Sequence, residues 1–362
     1  MTAILLEGKS HMHRLLLAAF AIVAFALPAH AQNAPFNVAT LSDGLEHPWT
    51  IAVMPGSRLL VTERPGRLQI IDAKTGQKRV VGGMPEVRAE SEAGALGLAL
   101  DADFAKTGRL YLCYSTGWTL SPGNRLSAFT LKDYQLRGEQ VLLDDLPGAK
   151  WHNGCRIAVS PDGHLFASMG DAISADGAQD IQQLRGKIFR LTRDGNVPSD
   201  NPFPGSPVWS YGHRNPQGLA FRPKDGALWS TEHGPDTQDE VNRIEKGGNY
   251  GWPLCRGVNA CGDLAQYHPA VAEFDATDTI AISDLIFYRG TAFPDWQGDI
   301  LFVSLKTGRL YHLDMDGDGV RRTEILIDGD FGRLRDIAEG SDGTLYLATD
   351  NGEDRILHLT PR

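Results

Sequence analysis

Basic residues are in the minority here: 35 Lys and Arg stand against 45 Asp and Glu, a formal net charge of −10. That balance lacks the positive footprint a nucleic-acid partner requires. The chain also has little that could cross a membrane. Its N-terminal apolar run, Leu15 to Leu27, is about thirteen residues long, where a spanning helix needs about 20. No long helical period runs through the remainder, and no Gly/Ser-rich linker or low-complexity tract divides it, which argues for one domain. Four cysteines among 362 residues are few.

The apolar run follows the basic Met12-His13-Arg14 and precedes the small-residue site Ala29-His30-Ala31, the pattern of a secretory signal cut after Ala31. Residues 1–11 then read as an extension before a start at Met12, and 32–362 as the mature single domain. A retained anchor is the alternative. Export to the periplasm or outside permits disulfides and argues against a cytosolic zinc site. Cys255 and Cys261, in PLCRGVNACGD, are expected to bond. Cys113 in LYLCYS and Cys155 in HNGCRIAV lie in strand-like stretches, where buried free thiols and a mutual bridge both remain open.

One unit recurs along the mature chain: a Gly-containing turn, an aliphatic or aromatic strand, a polar loop and a second strand. The copies are PGSRLLVTERPGRLQII, KTGRLYLCYS, PDGHLFASMGD, KDGALWSTEHGP, WQGDILFVSLKTGRLYHL and SDGTLYLATDNGEDRILHL. They begin roughly fifty to seventy residues apart, a spacing suited to propeller blades carrying insertions. Six such units predict an all-β, six-bladed β-propeller, with a β-sandwich or another β-repeat as the alternative. Chemistry is expected in the loops around the central channel, where the copies differ most.

Several polar groups stand out in those loops. SYGHRNPQGLAF carries His213, Arg214, Asn215 and Gln217, more donors than a turn needs. His152 precedes a strand and Asp171 follows the next, though a lone histidine is often structural. Glu232, Asp236, Asp239 and Glu240 crowd a Gly-Pro turn, supplying oxygens a hard cation prefers, or simply forming an acidic surface loop. Lys306, Arg333 and Arg335 would make an anion site if they faced one channel. DMDGDG, Asp314 to Gly319, begins like a calcium loop but lacks the glutamate at its twelfth position and reads better as a hairpin turn.

The order HPWTIAV, LGLALDADF, His152 before GCRIAVSPDG, GKIFRLTRDGNVPSDNPF, SYGHRNPQGLAF, TEHGPDTQDEVNRIEKGGNYGWP, LKTG and GRLRDI resembles the soluble pyrroloquinoline quinone (PQQ)-dependent glucose/sorbosone dehydrogenase family. The likeness is strongest to its periplasmic aldose sugar dehydrogenases. It implies a six-bladed propeller that oxidises aldoses at the anomeric carbon to lactones, with PQQ in the central cleft and Ca2+ beside it. It implies His152 as the general base. Arg214, Asn215, Thr279, Lys306, Arg333 and Arg335 correspond to contacts of the cofactor or substrate. Gly234 and Pro235 correspond to carbonyl ligands of the active-site calcium, and Glu240 with the Tyr250 backbone to a second, structural calcium. The electron acceptor, a quinone or a cytochrome, is left open.

Three departures from that family bear on the site. Glu92 stands where glutamine is usual near the quinone, placing a carboxylate beside an anionic cofactor unless it is protonated, paired with a cation or turned to solvent. Asp284 occupies a place where a small residue is usual. PLCRGVNACGD replaces a tyrosine-rich segment after GGNYGWP, which bears on substrate identity. Two other function classes fit part of the pattern, a calcium-dependent lactonase-type propeller and a non-enzymatic binding propeller. The first does not need the Lys306, Arg333 and Arg335 cluster, and the second has no reason to keep that cluster with a base and a calcium turn.

Overall fold

The computed structural model describes residues 34–362 apart from 119–120, 260 and 275–276; the expected signal segment lies outside the described residues. Among the described residues, twenty-four strands form six four-stranded antiparallel sheets. The first strand, β1 (Phe36–Leu45), stands apart from its sequence neighbours. Blade one is β2 (Pro48–Met54), β3 (Arg58–Glu63), β4 (Arg67–Asp72) and β5 (Lys78–Val81). Blade two is β6 (Ala95–Leu100), β7 (Arg109–Trp118), β8 (Ser121–Lys132) and β9 (Gln135–Pro147). Blade three is β10 (Ile157–Val159), β11 (Leu165–Met169), β12 (Lys187–Leu191) and β13 (Val208–Tyr211). Blade four is β14 (Pro216–Phe221), β15 (Leu228–Glu232), β16 (Asp239–Ile244) and β17 (Ala272–Phe274). Blade five is β18 (Ile282–Phe287), β19 (Ile300–Ser304), β20 (Arg309–Asp316) and β21 (Gly319–Asp328). Blade six takes β22 (Leu334–Glu339), β23 (Leu345–Thr349) and β24 (Asp354–Pro361), and β1 completes it.

This is the six-bladed propeller the repeats predict, and each recurring motif contains the second strand of its blade, except that in blade two it stops three residues short of the strand's end. The reason lies in burial on both faces. In β3, Leu59 and Val61 pack toward blade six with Ala348 and Ile356, while Leu60 packs toward blade two with Leu98 and Leu112. In β19 the alternation repeats, with Leu301 and Val303 in one wedge and Ile300 and Phe302 in the next. A strand with a period of two and two apolar faces reads as a continuous apolar run. Six such wedges form the core. The inner strands β2, β6, β10, β14, β18 and β22 line a central cavity of about 440 Å3. DMDGDG is a tight hairpin in which Asp316 pairs with Gly319.

Both cysteine pairs are bridged. Cys113 and Cys155, 42 residues apart with Cα atoms 5.5 Å apart, tie blade two to the entry of blade three. Cys155 lies in a left-handed loop residue (φ 71°) before β10, where a strand was expected. The inner strands approach closely there: a Cβ at Gly97 would stand 1.9 Å from the Cys155 carbonyl oxygen. Because the bridge restrains a long stretch of the unfolded chain, Cys113→Ala with Cys155→Ala should lower unfolding stability by about 2–4 kcal/mol. Urea unfolding of the oxidised wild type and the double variant checks this, and equal midpoints would contradict it.

Candidate active site at the channel mouth

One face of the propeller collects the ends of second strands and the crossings between blades. One or two residues beyond the second strand, blades one, three, four, five and six place Arg64, Asp171, His233, Lys306 and Asp350. Regular pairing stops there, so side chains and backbone can turn toward the mouth.

His152 lies in the crossing from β9 to β10, with a left-handed φ of 62°. Its N–H donates to Glu92 Oε2 at 2.9 Å, and its Nδ1 lies 2.7 Å from Asp171 Oδ1. Asp171 also accepts from the Ile173 N–H (2.8 Å) and from Trp252 Nε1 (2.9 Å). Burial alone would raise the Asp171 carboxyl, but the hydrogen bond and charge of His152 and the other donors outweigh it and hold it below the usual range. An ionised Asp171 accepts, so in the neutral imidazole His152 Nδ1 carries the proton and Nε2 the lone pair. The His152 side chain is 19% exposed, so that nitrogen is within reach of the mouth. Glu92 is not turned away to solvent, since it holds the His152 backbone and lies near the charges of Arg64 and Arg214.

The loop between β13 and β14 divides its donors. His213 is fully buried, bonded to Glu232 Oε2 (2.9 Å) and Ser210 Oγ (2.9 Å) and stacked on Tyr250. It braces the loop and does not face the mouth. The Arg214 N–H donates to the same Glu232 carboxylate, and the Arg214 guanidinium lies over Trp252. Asn215 Oδ1 accepts from the Gly154 N–H (3.2 Å) and from Gln217 Nε2 (3.0 Å). Gln217 Oε1 accepts from Arg335 Nη1 (3.0 Å), and Arg335 Nη2 donates to Asp350 Oδ2 (2.9 Å). Arg333, half-exposed, reaches the same oxygen at 3.6 Å, and His47 Nδ1 lies 2.6 Å from Asp350 Oδ1. Burial opposes ionisation of Asp350, but the Arg335 charge and the His47 hydrogen bond hold it at about 2. Arg64, missed in the sequence, joins this group, near the charges of Asp350, Arg335, Glu92 and Arg333.

The remaining candidates fall into three places. The Gly234 N–H donates to Asp239 Oδ1 (2.8 Å), and the Thr279 hydroxyl is committed to both Asp239 oxygens (2.9 and 2.7 Å), so Thr279 braces the Gly234–Pro235 turn. Lys306 pairs with Asp278 at the exposed rim (2.5 and 2.6 Å). Glu240 is buried deeper in blade four, where burial and then the nearby Glu232 charge push its carboxyl up to about 8. Its oxygens accept from Asn242 Nδ2 (3.0 Å) and the Gly257 N–H. Tyr250 buries its ring beside His213 and His268 and donates its hydroxyl to the Arg243 carbonyl (2.6 Å).

Below the mouth, Arg156 occupies the channel. Its Nε donates to the Gln217 carbonyl (2.8 Å), its Nη1 to Asp336 (2.6 Å) and Thr50 (3.1 Å), and its Nε lies 3.3 Å from Asp284. Asp284 and Asp336 hydrogen-bond to each other, and burial raises both carboxyls despite the arginine. Asp284 is thus a wall of the channel, where a small side chain would leave Arg156 and Asp336 alone.

Unsatisfied polar atoms test whether this mouth suits an anionic group. Among the described residues, Arg214 Nε, Asn215 Nδ2, Arg335 Nε and His233 Nε2 are buried and unpartnered. Buried polar atoms rarely stay unpaired. No hydrogen bond among the described residues ends on the carbonyls of Gly234, Pro235 or Tyr250, and Asn242 Oδ1, beside Glu240, is buried and unpartnered. The first set suits an acceptor-rich anion and the second suits a hard, oxygen-seeking cation.

A six-bladed propeller with an aspartate-oriented imidazole facing a ring of arginines and orphaned donors defines a class of channel-mouth enzyme. The chain belongs to the Glucose / Sorbosone dehydrogenase family, which it matches over residues 45–358, and is an oxidoreductase. It is 34% identical over 372 residues to the aldose sugar dehydrogenase YliI of Escherichia coli K12, spanning 97% of this chain and 100% of that one. The PQQ-bound form of the aldose sugar dehydrogenase from Streptomyces coelicolor shares the fold with a TM-score of 0.81 and 34% identity, covering 93% of this chain and 100% of that one. The apo-form of the soluble aldose sugar dehydrogenase from E. coli gives 0.84 and 34%, covering 90% and 100%.

The acid pair below the mouth makes a stability prediction. The folded chain keeps a proton on Asp284 above the ordinary carboxyl range of about 3.9. The folded state therefore binds more protons than the unfolded chain between that value and the raised one. The pair's contribution is full in acid and is lost as pH rises through this window. Asp284→Asn, which keeps a hydrogen bond without titrating, should flatten that decline and exceed wild type in stability at pH 8. Urea midpoints from pH 4 to 8 measure it; parallel curves for the two proteins would refute it.

Proposed function

We propose that this protein oxidises aldose sugars at the anomeric carbon to lactones, using PQQ at the channel mouth and Ca2+ at the Gly234–Pro235 turn. The observation that carries the reading is the convergence at one mouth of orphaned donors on Arg214, Asn215 and Arg335 with the oriented imidazole of His152. PQQ, when bound, supplies an ortho-quinone that accepts two electrons as hydride, and its three carboxylates are the acceptors those donors lack. Arg214, Arg333, Arg335 and Lys306 neutralise that charge, with Lys306 shifting from Asp278 or sharing it. Asn215 is held by the Gly154 N–H and Gln217, so its Nδ2 is already oriented. The carbonyls of Gly234 and Pro235 would hold a calcium ion, which would supply Lewis acidity there, and Thr279, through Asp239, keeps that turn in place. Glu240 and the Tyr250 carbonyl, with the unpartnered Asn242 Oδ1, would hold a second, structural calcium.

His152 Nε2 takes the proton from the anomeric hydroxyl. Asp171 fixes the tautomer that leaves Nε2 unprotonated and stabilises the imidazolium formed. Glu92 holds the base from the other side through its backbone N–H. Its charge is balanced by Arg64 and Arg214, which reconciles a carboxylate at this position with an anionic cofactor. The secretory signal and the two bridges support a periplasmic or secreted location. No helix among the described residues is long and apolar enough to cross a membrane. A quinone or a cytochrome takes the electrons onward.

Reconstitution tests the reading. The protein loaded with PQQ and Ca2+ should reduce an artificial acceptor dye with aldoses, lose the activity on chelation and regain it when calcium returns. Full turnover in a metal-free preparation would overturn the role of calcium. His152→Ala or His152→Gln should bind PQQ nearly as well while losing about a hundredfold to ten-thousandfold in kcat, the range for a positioned general base. Lost PQQ affinity with unchanged kcat at saturation would make His152 a cofactor contact instead.

A further inference from the structure

The connection between β11 and β12, Gly170 to Gly186, is long, whereas the other blades join their second and third strands by short loops. It begins with Asp171, the residue that orients His152. Next come Ala172 and Ile173, both left-handed (φ 48° and 62°), a strained conformation for a β-branched side chain that persists only where the surroundings enforce it. The segment therefore needs an anchor. The Ile173 N–H donates to Asp171 Oδ1 (2.8 Å) and the Ser174 N–H to the Asp171 carbonyl (2.9 Å), so the strained turn closes around the aspartate itself.

Lys187, the first residue of β12, sits at the other end of this connection. Its side chain is wholly buried, and no carboxylate among the described residues forms an ion pair with it. Its Nζ donates instead to the carbonyls of Gly177 (3.0 Å), Ala178 (2.9 Å) and Arg185. All three ammonium protons thus go to the loop. Burial pulls the amine down to about 7 against the charge of Asp180, while three carbonyl acceptors favour its charged form. A cation buried without a counter-charge is unfavourable unless it is bonded on every side, and here the bonds all gather one loop.

Two routes lead from this clamp to Asp171. Along the backbone, the Gly177 N–H donates to the Ser174 carbonyl (3.2 Å), at the end of the strained turn. Through side chains, Gln179, next to the clamped Ala178, donates to the Trp252 carbonyl (2.7 Å) and exchanges hydrogen bonds with Asn249 (3.0 and 2.9 Å). Trp252 Nε1 in turn donates to Asp171 Oδ2 (2.9 Å). Each oxygen of Asp171 is aimed by a donor that the clamped loop holds. We infer that Lys187 is a positioning residue for the base: by gathering three loop carbonyls on one buried ammonium, it fixes the donors that aim Asp171 and, through Asp171, the His152 ring. That His152 is a base rests on the aldose-oxidation reading; the alignment of its ring does not.

Proton NMR and kinetics at pH 6 separate alignment from mere stability. In the cofactor-free protein, the His152 Nδ1 proton held by Asp171 should give a far-downfield signal that His152→Gln lacks. Lys187→Met, similar in length but without charge or donors, should weaken or abolish it. Reconstituted with PQQ and Ca2+, this variant should lose about tenfold in kcat while KM for the aldose and PQQ affinity stay within about twofold, the split expected when a reacting group is misaligned and not unbound. Gln179→Ala cuts the side-chain route alone and should act in the same direction more weakly. Wild-type signal and kcat in folded Lys187→Met would overturn the inference, as would the same result in Gln179→Ala should Lys187→Met fail to fold. Equal losses of kcat and PQQ affinity with the signal unmoved would also overturn it, since they mark a purely structural lysine. Signal loss in the variants, with no aldose turned over by the wild type, would overturn the oxidation reading and leave the positioning role standing.

Discussion

Antiparallel pairing of β1 with β24 is the contact on which the other features depend. It runs from Phe36 opposite Pro361 to Leu45 opposite Asp354, so the last blade is completed by the first strand of the described chain. Without it, blade six would present an open edge, and the wedge shared by blades six and one would lose Leu45. Closure also brings His47, just past β1, against Asp350 from the other end of the chain. The carboxylate that holds Arg335 and attracts Arg333 is therefore anchored across the seam.

The ring concentrates charge where it is costly to desolvate and compensates by connecting it. Asp350, Arg335, Gln217, Asn215 and the Gly154 N–H form one continuous hydrogen-bonded path across the mouth, and Arg156 joins it from below through the Gln217 carbonyl. Buried charges are tolerated when paired and bonded on several sides. What is left unpaired is directional, since the remaining donors on Arg214, Asn215 and Arg335 belong to residues whose other groups are already fixed. Such preorganisation favours a ligand whose acceptors match, because at Arg214, Asn215 and Arg335 no protein hydrogen bond must break to admit it.

Much of the fold was legible because propeller strands are buried on both faces. RLLVTE, LFASM, LWSTE and ILFVS read as short apolar runs bounded by Gly turns, and each is a second strand. The candidate site was legible only in part. His152, Arg214, Asn215 and Arg335 stood out as surplus polar groups beside strands. Arg64 did not, because in TERPG it looks like an ordinary turn cation, and only its position just past β3, shared with His233 and Asp350 in their blades, marks it. His213 misled in the opposite direction: its neighbours face the mouth, yet Glu232 and Ser210 draw its ring inward.

Local sequence determined what depends on near neighbours: strand period, Gly-bearing turns, repeat count and the supply of candidate bases and cations. Pairings made across blades were decided by the tertiary structure. Which carboxylate orients His152, that Glu92 grips its backbone from 60 residues away, that Cys113 finds Cys155, and that Asp284 meets Asp336 over Arg156 all depend on how six wedges pack around one axis. Side-chain chemistry is a property of the residue, but its ionisation and the freedom of its last nitrogen are set by burial and by neighbours that the chain brings together only when the ring closes.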